Sequence, residues 1–322
     1  MGIVGYSLGG GIGWLARRHG LACNSVVAAE MVTADGELVR ADAESHADLF
    51  WAVRGGGGSF GAITALEFAL YPVESLYAGA LFFPLERAGE VLHRWAEWAP
   101  GTPEELTSVG RILRFPPLPE LPDHLRGRSF ALVEAAFLGE ESAGTELLRP
   151  LRELGPDMDT FSTIPPAGLA ELHMDPPQPV PGQSDHLLLS GAPPQAIDAL
   201  LEAEGPGIET PLLSVELRHL GGALGKPAEA SGPLAQLDGE FLMFAVGIPM
   251  GPEVAEAIEH HAGDLRSALS PWAAGRAYLN FAERPTDTET AFPPEQFRRL
   301  QEIRAQYDPT DLFCANHPVP AC

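Results

Sequence analysis

Two glycine-rich stretches carry the chemistry this sequence could do. The first, Gly5-Tyr6-Ser7-Leu8-Gly9, has the G-x-S-x-G spacing in which a strained turn lifts a serine hydroxyl above a sheet, and it runs on through Gly10, Gly11 and Gly13. Such an elbow must follow a central strand and borrow an oxyanion-hole N–H from an earlier loop, neither of which the sequence offers before Gly5. A serine hydrolase built on Ser7 therefore stands only as an alternative. The second stretch, Gly56-Gly57-Gly58-Ser59-Phe60-Gly61, fits the dinucleotide pattern G-x-G-x-x-G letter by letter. That fingerprint needs a helix after it and an acid about 20 residues on, whereas here a strand pattern follows and Leu81 stands at that distance. What both stretches share is physical. Glycines at 9–13 and 55–58 bare their backbone N–H groups and let a bulky, flat, phosphate-bearing ligand approach closely, although turns packed under aromatic rings would use the same residues.

The rest of the composition narrows the field. The 322-residue chain carries a formal charge of −24, and its one lysine, Lys226, precedes Pro227. That balance excludes nucleic-acid and membrane-surface binding, and it removes a phosphate loop of the Gly-Lys-Ser/Thr kind. Cys23, Cys314 and Cys322 are too few and scattered for a disulfide framework or a zinc cluster. His19, His46, His93, His173 and His317 lack metal-like spacing, and the adjacent His260 and His261 point to different sides of a helix. Arg218 and His219 suit a substrate-facing role and a salt bridge equally. With no apolar run of about 18 residues, the expectation is a soluble, cytoplasmic protein whose partner is a small molecule.

The elements that must position these groups fall into three blocks. Residues 1–75 read as the glycine loop, a strand over 25–33, a hairpin turn at Ala34-Asp35-Gly36-Glu37, a return strand over 38–41, and a strand in which Leu66, Phe68 and Leu70 alternate with Ala65, Glu67 and Ala69. Residues 76–275 alternate helices (86–98, 141–154, 252–269) with strands (130–137, 212–219, 241–248), so they form an α+β unit with an antiparallel sheet. In the first of those helices Trp95 and Trp98 belong to the core. The stretch 175–182, with four prolines, is a loop of the kind that borders binding sites. Residues 276–322 carry a strand over 277–281, a helix over 294–307 and an extended tail.

Taken in order, the motifs resemble a known family. Ser7-Leu8-Gly9-Gly10-Gly11-Ile12-Gly13-Trp14 through Gly20-Leu21, then Asp48-Leu49-Phe50-Trp51-Ala52-Val53-Arg54-Gly55 through Thr64, and finally Ala277-Tyr278-Leu279-Asn280-Phe281 with Tyr307-Asp308-Pro309 and Asn316-His317-Pro318, are similar to three signatures of berberine-bridge-enzyme-like FAD-linked oxidoreductases, in the vanillyl-alcohol-oxidase superfamily. The resemblance implies an α+β fold: an FAD-binding domain of the PCMH type assembled from both chain ends (1–75 and 276–322), with an inserted substrate domain (76–275) whose antiparallel sheet roofs the flavin. It implies FAD as cofactor, with Tyr6, Leu8, Gly9, Gly10, Gly11 and Gly13 lining flavin and pyrophosphate. Ser59, Phe60, Gly61 and Ile63 would support the cofactor, Asn280 and Asn316 would close the site, and Tyr278 would face the substrate and take its proton. The activity implied is hydride transfer from a small organic substrate to flavin N5.

Departures from the family pattern set further expectations. Members carry, ahead of the first signature, a strand-rich subdomain with a glycine-glycine-histidine loop that often bonds the flavin. The sequence starts beyond it, so the FAD domain is expected to be incomplete, the chain truncated, and a cofactor-free remnant stands as a second alternative. A carboxylate base that some plant members place on a substrate-domain strand has no counterpart in 241–248.

Overall fold

The computed structural model describes residues 2–176 and 178–321. Contacts divide the chain into two units: Met1–Pro72, Gly222–Leu237 and Arg276–Cys322 form the first, Val73–Gly221 and Asp238–Gly275 the second. The sequence reading put 1–75 and 276–322 in one domain and 76–275 in the other. Residues 222–237, expected within the inserted domain, join the first unit, because Gly222 sits so close to the chain that a Cβ there would meet the Arg17 carbonyl at 2.4 Å. Arg54 also donates to the Ala230 carbonyl, and Leu234 packs on the first unit's core.

The first unit opens with helix α1 (Ile3–Leu8), not the loop expected there, and a single turn, α2 (Ala16–His19). Strands β1 (Val26–Val32), β2 (Leu38–Asp42) and β3 (Ala62–Phe68) form an antiparallel sheet in the order β2-β1-β3, with helix α3 (Ala47–Gly56) between β2 and β3. Bulges in the β1–β3 pairing put Val26, Ala29 and Met31 in the core despite their broken alternation. In β3 the expected alternation holds for Leu66 and Phe68, whereas Leu70 lies past the strand and is 89% exposed.

The second unit contains β4 (Leu76–Pro84), α4 (Ala88–Trp98), β5 (Leu106–Arg114), β6 (Ser129–Phe137), α5 (Glu141–Arg152), β7 (Met158–Asp159), β8 (Ser162–Ile164) and α6 (Leu169–Leu172), followed by β9 (Gln183–Leu189), α7 (Pro194–Glu204), β10 (Leu212–His219), β11 (Phe241–Gly247) and α8 (Pro252–Leu269). The strands form one eight-stranded antiparallel sheet in the order β7-β4-β6-β5-β10-β11-β9, with β8 also on β4. Residues of α4, α5, α7 and α8 share a core with one face of that sheet. Trp95 is fully buried there, its indole N–H on Ser108 at 3.1 Å and its ring over Gly110, where a Cβ would meet it at 2.5 Å. A second apolar cluster of Ala80, Phe82, Leu113, Phe130 and Leu132 covers part of the opposite face. With both faces covered, β4 and β6 read as nearly unbroken apolar runs instead of alternating ones.

The chain then returns to the first unit. Residues 277–281, expected as a strand, pair with no strand: Tyr278 is extended and Leu279–Phe281 form a tight turn. Helix α9 (Pro294–Tyr307) buries Phe297, Leu300 and Ile303 in the first core, and the Tyr307 hydroxyl donates to Asp48 at 3.0 Å, joining α9 to the start of α3. Buried Arg304 pairs with Asp308 at 2.9 Å, and that carboxylate accepts the Leu312 and Phe313 N–H groups, fixing the tail. Among the described residues no helix is long and apolar enough to cross a membrane.

Candidate flavin site

Within the first unit the two ends of the sequence are fastened together at the glycine loop. The Gly11 N–H donates to the Tyr278 hydroxyl oxygen at 2.9 Å, across 267 positions of sequence, and the Asn280 amide donates to the Tyr6 carbonyl at 2.8 Å, across 274. Below the loop, the Cys23 and Ala22 N–H groups donate to the Gly10 and Gly11 carbonyls at 2.8 and 2.9 Å. Gly10 (φ +131°) and Gly11 (φ +84°) hold a backbone that L side chains rarely adopt, and a Cβ at Gly10 would meet the Tyr278 hydroxyl at 2.7 Å. Gly9 is held as tightly, because its Cβ would lie 2.0 Å from the Asn280 amide oxygen. These glycines are required by the chain's own packing. Gly13, Gly57 and Gly58, by contrast, have open space or only the Tyr6 hydroxyl beside them, so bare backbone faces outward there.

The other residues expected at the site divide clearly. Leu8 is buried in the first core, and Tyr6 is half-buried. The Ser59 hydroxyl accepts the Val319 N–H at 3.0 Å, Phe60 is fully buried, Ile63 packs on the same core, and Gly61 sits where a Cβ would meet Met31 at 2.5 Å. Asn316 is exposed and takes no part in these hydrogen bonds. Tyr278 is 1% exposed, and burial raises its pKa well above the ordinary phenol value. It therefore keeps its proton at neutral pH, and its hydroxyl oxygen is engaged by the Gly11 N–H. Burial likewise pushes the Cys23 thiol up to about 12, which leaves it inert.

FAD would bring a diphosphate to a chain of charge −24, so the local charge decides whether the loop suits it. The first 29 residues contain Arg17 and Arg18 and no acid; the first is Glu30. The glycine loop therefore lies in a stretch of sequence that brings no carboxylate of its own, and its bare backbone suits an anionic, flat cofactor. The hydrolase alternative fails on the same ground-level geometry. Ser7 lies in helix α1, it is 1% exposed, and its hydroxyl has no hydrogen-bond partner among the described residues, so no histidine activates it. The second glycine pattern follows α3 and precedes β3, the reverse of a dinucleotide fingerprint.

A second polar cluster, in the other unit, escaped sequence reading. Arg111 on β5, Glu134 on β6, Glu216 and Arg218 on β10 and His173 after α6 form ion pairs of 2.6 to 3.2 Å. Its signal was a lone acid inside each of two apolar strands, Phe130 to Phe137 and Leu212 to Leu217. Arg218, left open earlier, is committed to Glu216, and His219 is buried with its ring stacked on Phe241. Among the described residues no group of histidines, cysteines and acids could hold a metal.

Comparison with known proteins defines the class. Residues 277–320 match the family model "Berberine and berberine like". An uncharacterized FAD-linked oxidoreductase of Bacillus subtilis is 28% identical over 99% of this chain and 70% of its own length, and a chitooligosaccharide oxidase of Gibberella zeae is 30% identical over 52% of this chain and 32% of its own. Among solved structures, a variant of the BBE-like 1 protein of Physcomitrella patens aligns with a TM-score of 0.84 at 17% identity, covering all of this chain and 71% of that one. Berberine bridge enzyme from Eschscholzia californica aligns at 0.81 and 19%, covering all of this chain and 70% of that one. The fold and the loop are those of an FAD-linked oxidoreductase. The chain is similar along nearly its whole length to FAD-linked oxidoreductases, its last segment matches the berberine-bridge-enzyme-like family model, and it spans about 70% of the length of such relatives.

Proposed function

We propose that this FAD-dependent oxidoreductase passes hydride from a carbon of a small organic molecule to flavin N5, in the cytoplasm. The observation that carries the reading is the fastening of Tyr278 and Asn280, in the segment that matches the family, to a glycine loop at the other end of the sequence whose own stretch holds no acid. When bound, FAD supplies the redox chemistry; the chain supplies binding, orientation and electrostatics. Gly9, Gly10, Gly11 and Gly13, with Tyr6 and Leu8, would hold the flavin and its diphosphate, while Ser59, Phe60, Gly61 and Ile63 would buttress them. Tyr278, protonated and sealed, holds the Gly11 N–H and so fixes the loop. Sugars head the substrate class, because the similar proteins include one named a chitooligosaccharide oxidase and others named glucose dehydrogenases.

Titrating the purified chain with FAD while following flavin fluorescence, then adding sugars and simple alcohols anaerobically and watching the oxidised flavin band, tests this. Saturable binding followed by bleaching with at least one sugar or alcohol is expected. A folded chain that takes up no FAD would instead be a cofactor-free module.

A further inference from the structure

His173, the residue that follows α6, joins the described residues 165–176 to the sheet through its side chain. The imidazole of His173 lies between two fully buried carboxylates, Nδ1 2.8 Å from Glu134 Oε2 and Nε2 2.9 Å from Glu216 Oε2. Both acids, with Arg111 and Arg218, project from the sheet face opposite the helices, since their strand neighbours Val133, Val215, Leu217 and Ile112 belong to the helix-covered core. Arg111 reaches Glu134 at 3.2 Å, donates to the His173 carbonyl at 2.9 Å and to the Ser214 hydroxyl at 2.7 Å. Arg218 grips Glu216 at 2.6 Å and feels the negative charge of Asp175, two residues beyond His173.

With His173 protonated, the cluster holds three cations (Arg111, Arg218, His173) and three anions (Glu134, Glu216, Asp175), so it is neutral. A neutral imidazole has one N–H and one lone pair, so it can serve only one of the two carboxylates and must turn its lone pair toward the other. In a buried site such a mismatch is costly. The surroundings accordingly hold the imidazolium, raising its pKa to about 9 through Glu216 and Glu134 despite desolvation, the largest single effect, which works the other way. Among the described residues the other ties given are the Arg111 bond to the His173 carbonyl and the packing of Met174. None of residues 165–176 is buried, their helical turns are short, and Met174, packed on the Leu113, Phe130 and Leu132 cluster, takes a left-handed φ of +55°.

We propose that His173 is a protonation latch: its imidazolium pins residues 165–176 to the polar face of the second unit's sheet, and loss of the proton frees that strap while the sheet stays folded. The folded-state pKa lies above the ordinary 6.5, so the stabilisation is complete below about pH 6.5 and is lost as pH rises through about 9. Glu216 is held well below the usual carboxylate range by Arg218 and His173, against its own desolvation, so the latch survives mild acid.

Hydrogen exchange followed by mass spectrometry on the full chain, corrected for intrinsic exchange between pH 6.5 and 10, tests it. Peptides covering 165–176 should exchange at least tenfold faster at pH 10 than at pH 7, with a midpoint near 9, while β6 and β10 peptides keep their protection. His173→Gln should exchange fast in the strap at every pH, and Glu134→Gln, which keeps the histidine but removes one carboxylate, should move the midpoint down. A strap whose protection ignores pH in the wild-type protein, or a midpoint unmoved in Glu134→Gln, overturns the latch. Parallel loss of protection in β6 and β10 overturns it too, because the cluster would then be ordinary core.

Discussion

The glycine loop of the first unit and the charge cluster of the second solve opposite problems of burial. At the loop, side chains are absent where they would obstruct, and the polar work is done by backbone: Gly11 N–H to Tyr278, Asn280 to the Tyr6 carbonyl. At the cluster, Arg111, Glu134, Glu216 and Arg218 occupy one sheet face and, together with His173 and Asp175 beside them, neutralise one another. The loop is consequently intolerant of added atoms, and the Tyr278 phenol it leans on is pushed further from neutrality. The cluster depends instead on the proton that His173 carries between two carboxylates. A backbone site is specified by what cannot be there, and a charge site by what must be balanced.

The largest effect should come from one methyl group. At Gly10 a Cβ meets the Tyr278 hydroxyl at 2.7 Å and Leu234 at 3.1 Å, in a backbone of φ +131°. Overpacking and an unfavourable φ together predict that Gly10→Ala destabilises the protein by about 2–5 kcal/mol and abolishes FAD binding. The same substitution at Gly263 sharpens the contrast. That glycine lies inside α8 with nothing within 4 Å of its Cβ position, so Gly263→Ala should stabilise by roughly 0.5–1 kcal/mol. Urea unfolding of the two variants measures both signs; equal effects would show that the loop is no more constrained than a solvent-facing helix.

How much of this was legible follows from the same contrast. The loop, α9, β6, β10 and the helix carrying Trp95 could be read because each is encoded in a contiguous pattern, and the family's signatures are contiguous too. The charge cluster draws Arg111, Glu134, His173 and Glu216 from four separate elements, so no window of sequence contains it. Its only local trace is an acid amid apolar residues. Helix α1 was misread because Gly2 and Gly5 suggested a loop, whereas the carbonyls of those two glycines accept the Tyr6 and Gly9 N–H groups and close helical turns. The strand expected at 277–281 failed for a tertiary reason: Tyr278 and Asn280 are used on the glycine loop, and no neighbouring strand is there to pair. Asn316, expected beside the flavin from its motif alone, is exposed on the tail.

A smaller effect separates two roles for Tyr278. If the phenol fixes the loop, Tyr278→Phe leaves the Gly11 N–H buried without a partner and costs about 1–3 kcal/mol, which should appear as weaker FAD binding. Its pH profile of flavin reduction should match the wild type, since the phenol titrates far above neutrality in either state. The rival role, proton acceptor, predicts the reverse: FAD bound normally, with anaerobic reduction slowed by about 10²–10⁴-fold. Measuring FAD affinity and the reduction rate on the same preparation distinguishes them, because each role moves only one of the two numbers.

The smallest effect belongs to Ser7. Ser7 is 1% exposed within α1, and its hydroxyl finds no hydrogen-bond partner among the described residues. An unpaired buried hydroxyl carries a desolvation cost that removing it relieves, and alanine favours a helix more than serine does. Against these stands the loss of one packed atom. The relieved desolvation, about 1–3 kcal/mol, opposes the lost packing, so Ser7→Ala should change stability by no more than about 1–2 kcal/mol, in the stabilising direction, and leave FAD uptake intact. A nucleophile would behave otherwise, because an activated serine is polarised by a base, and its removal ends turnover whatever the stability. Thermal melting together with a flavin titration of Ser7→Ala provides the measurement. A folded variant that had lost all activity while retaining its flavin would return the hydroxyl to the chemistry and make this loop something other than a backbone site.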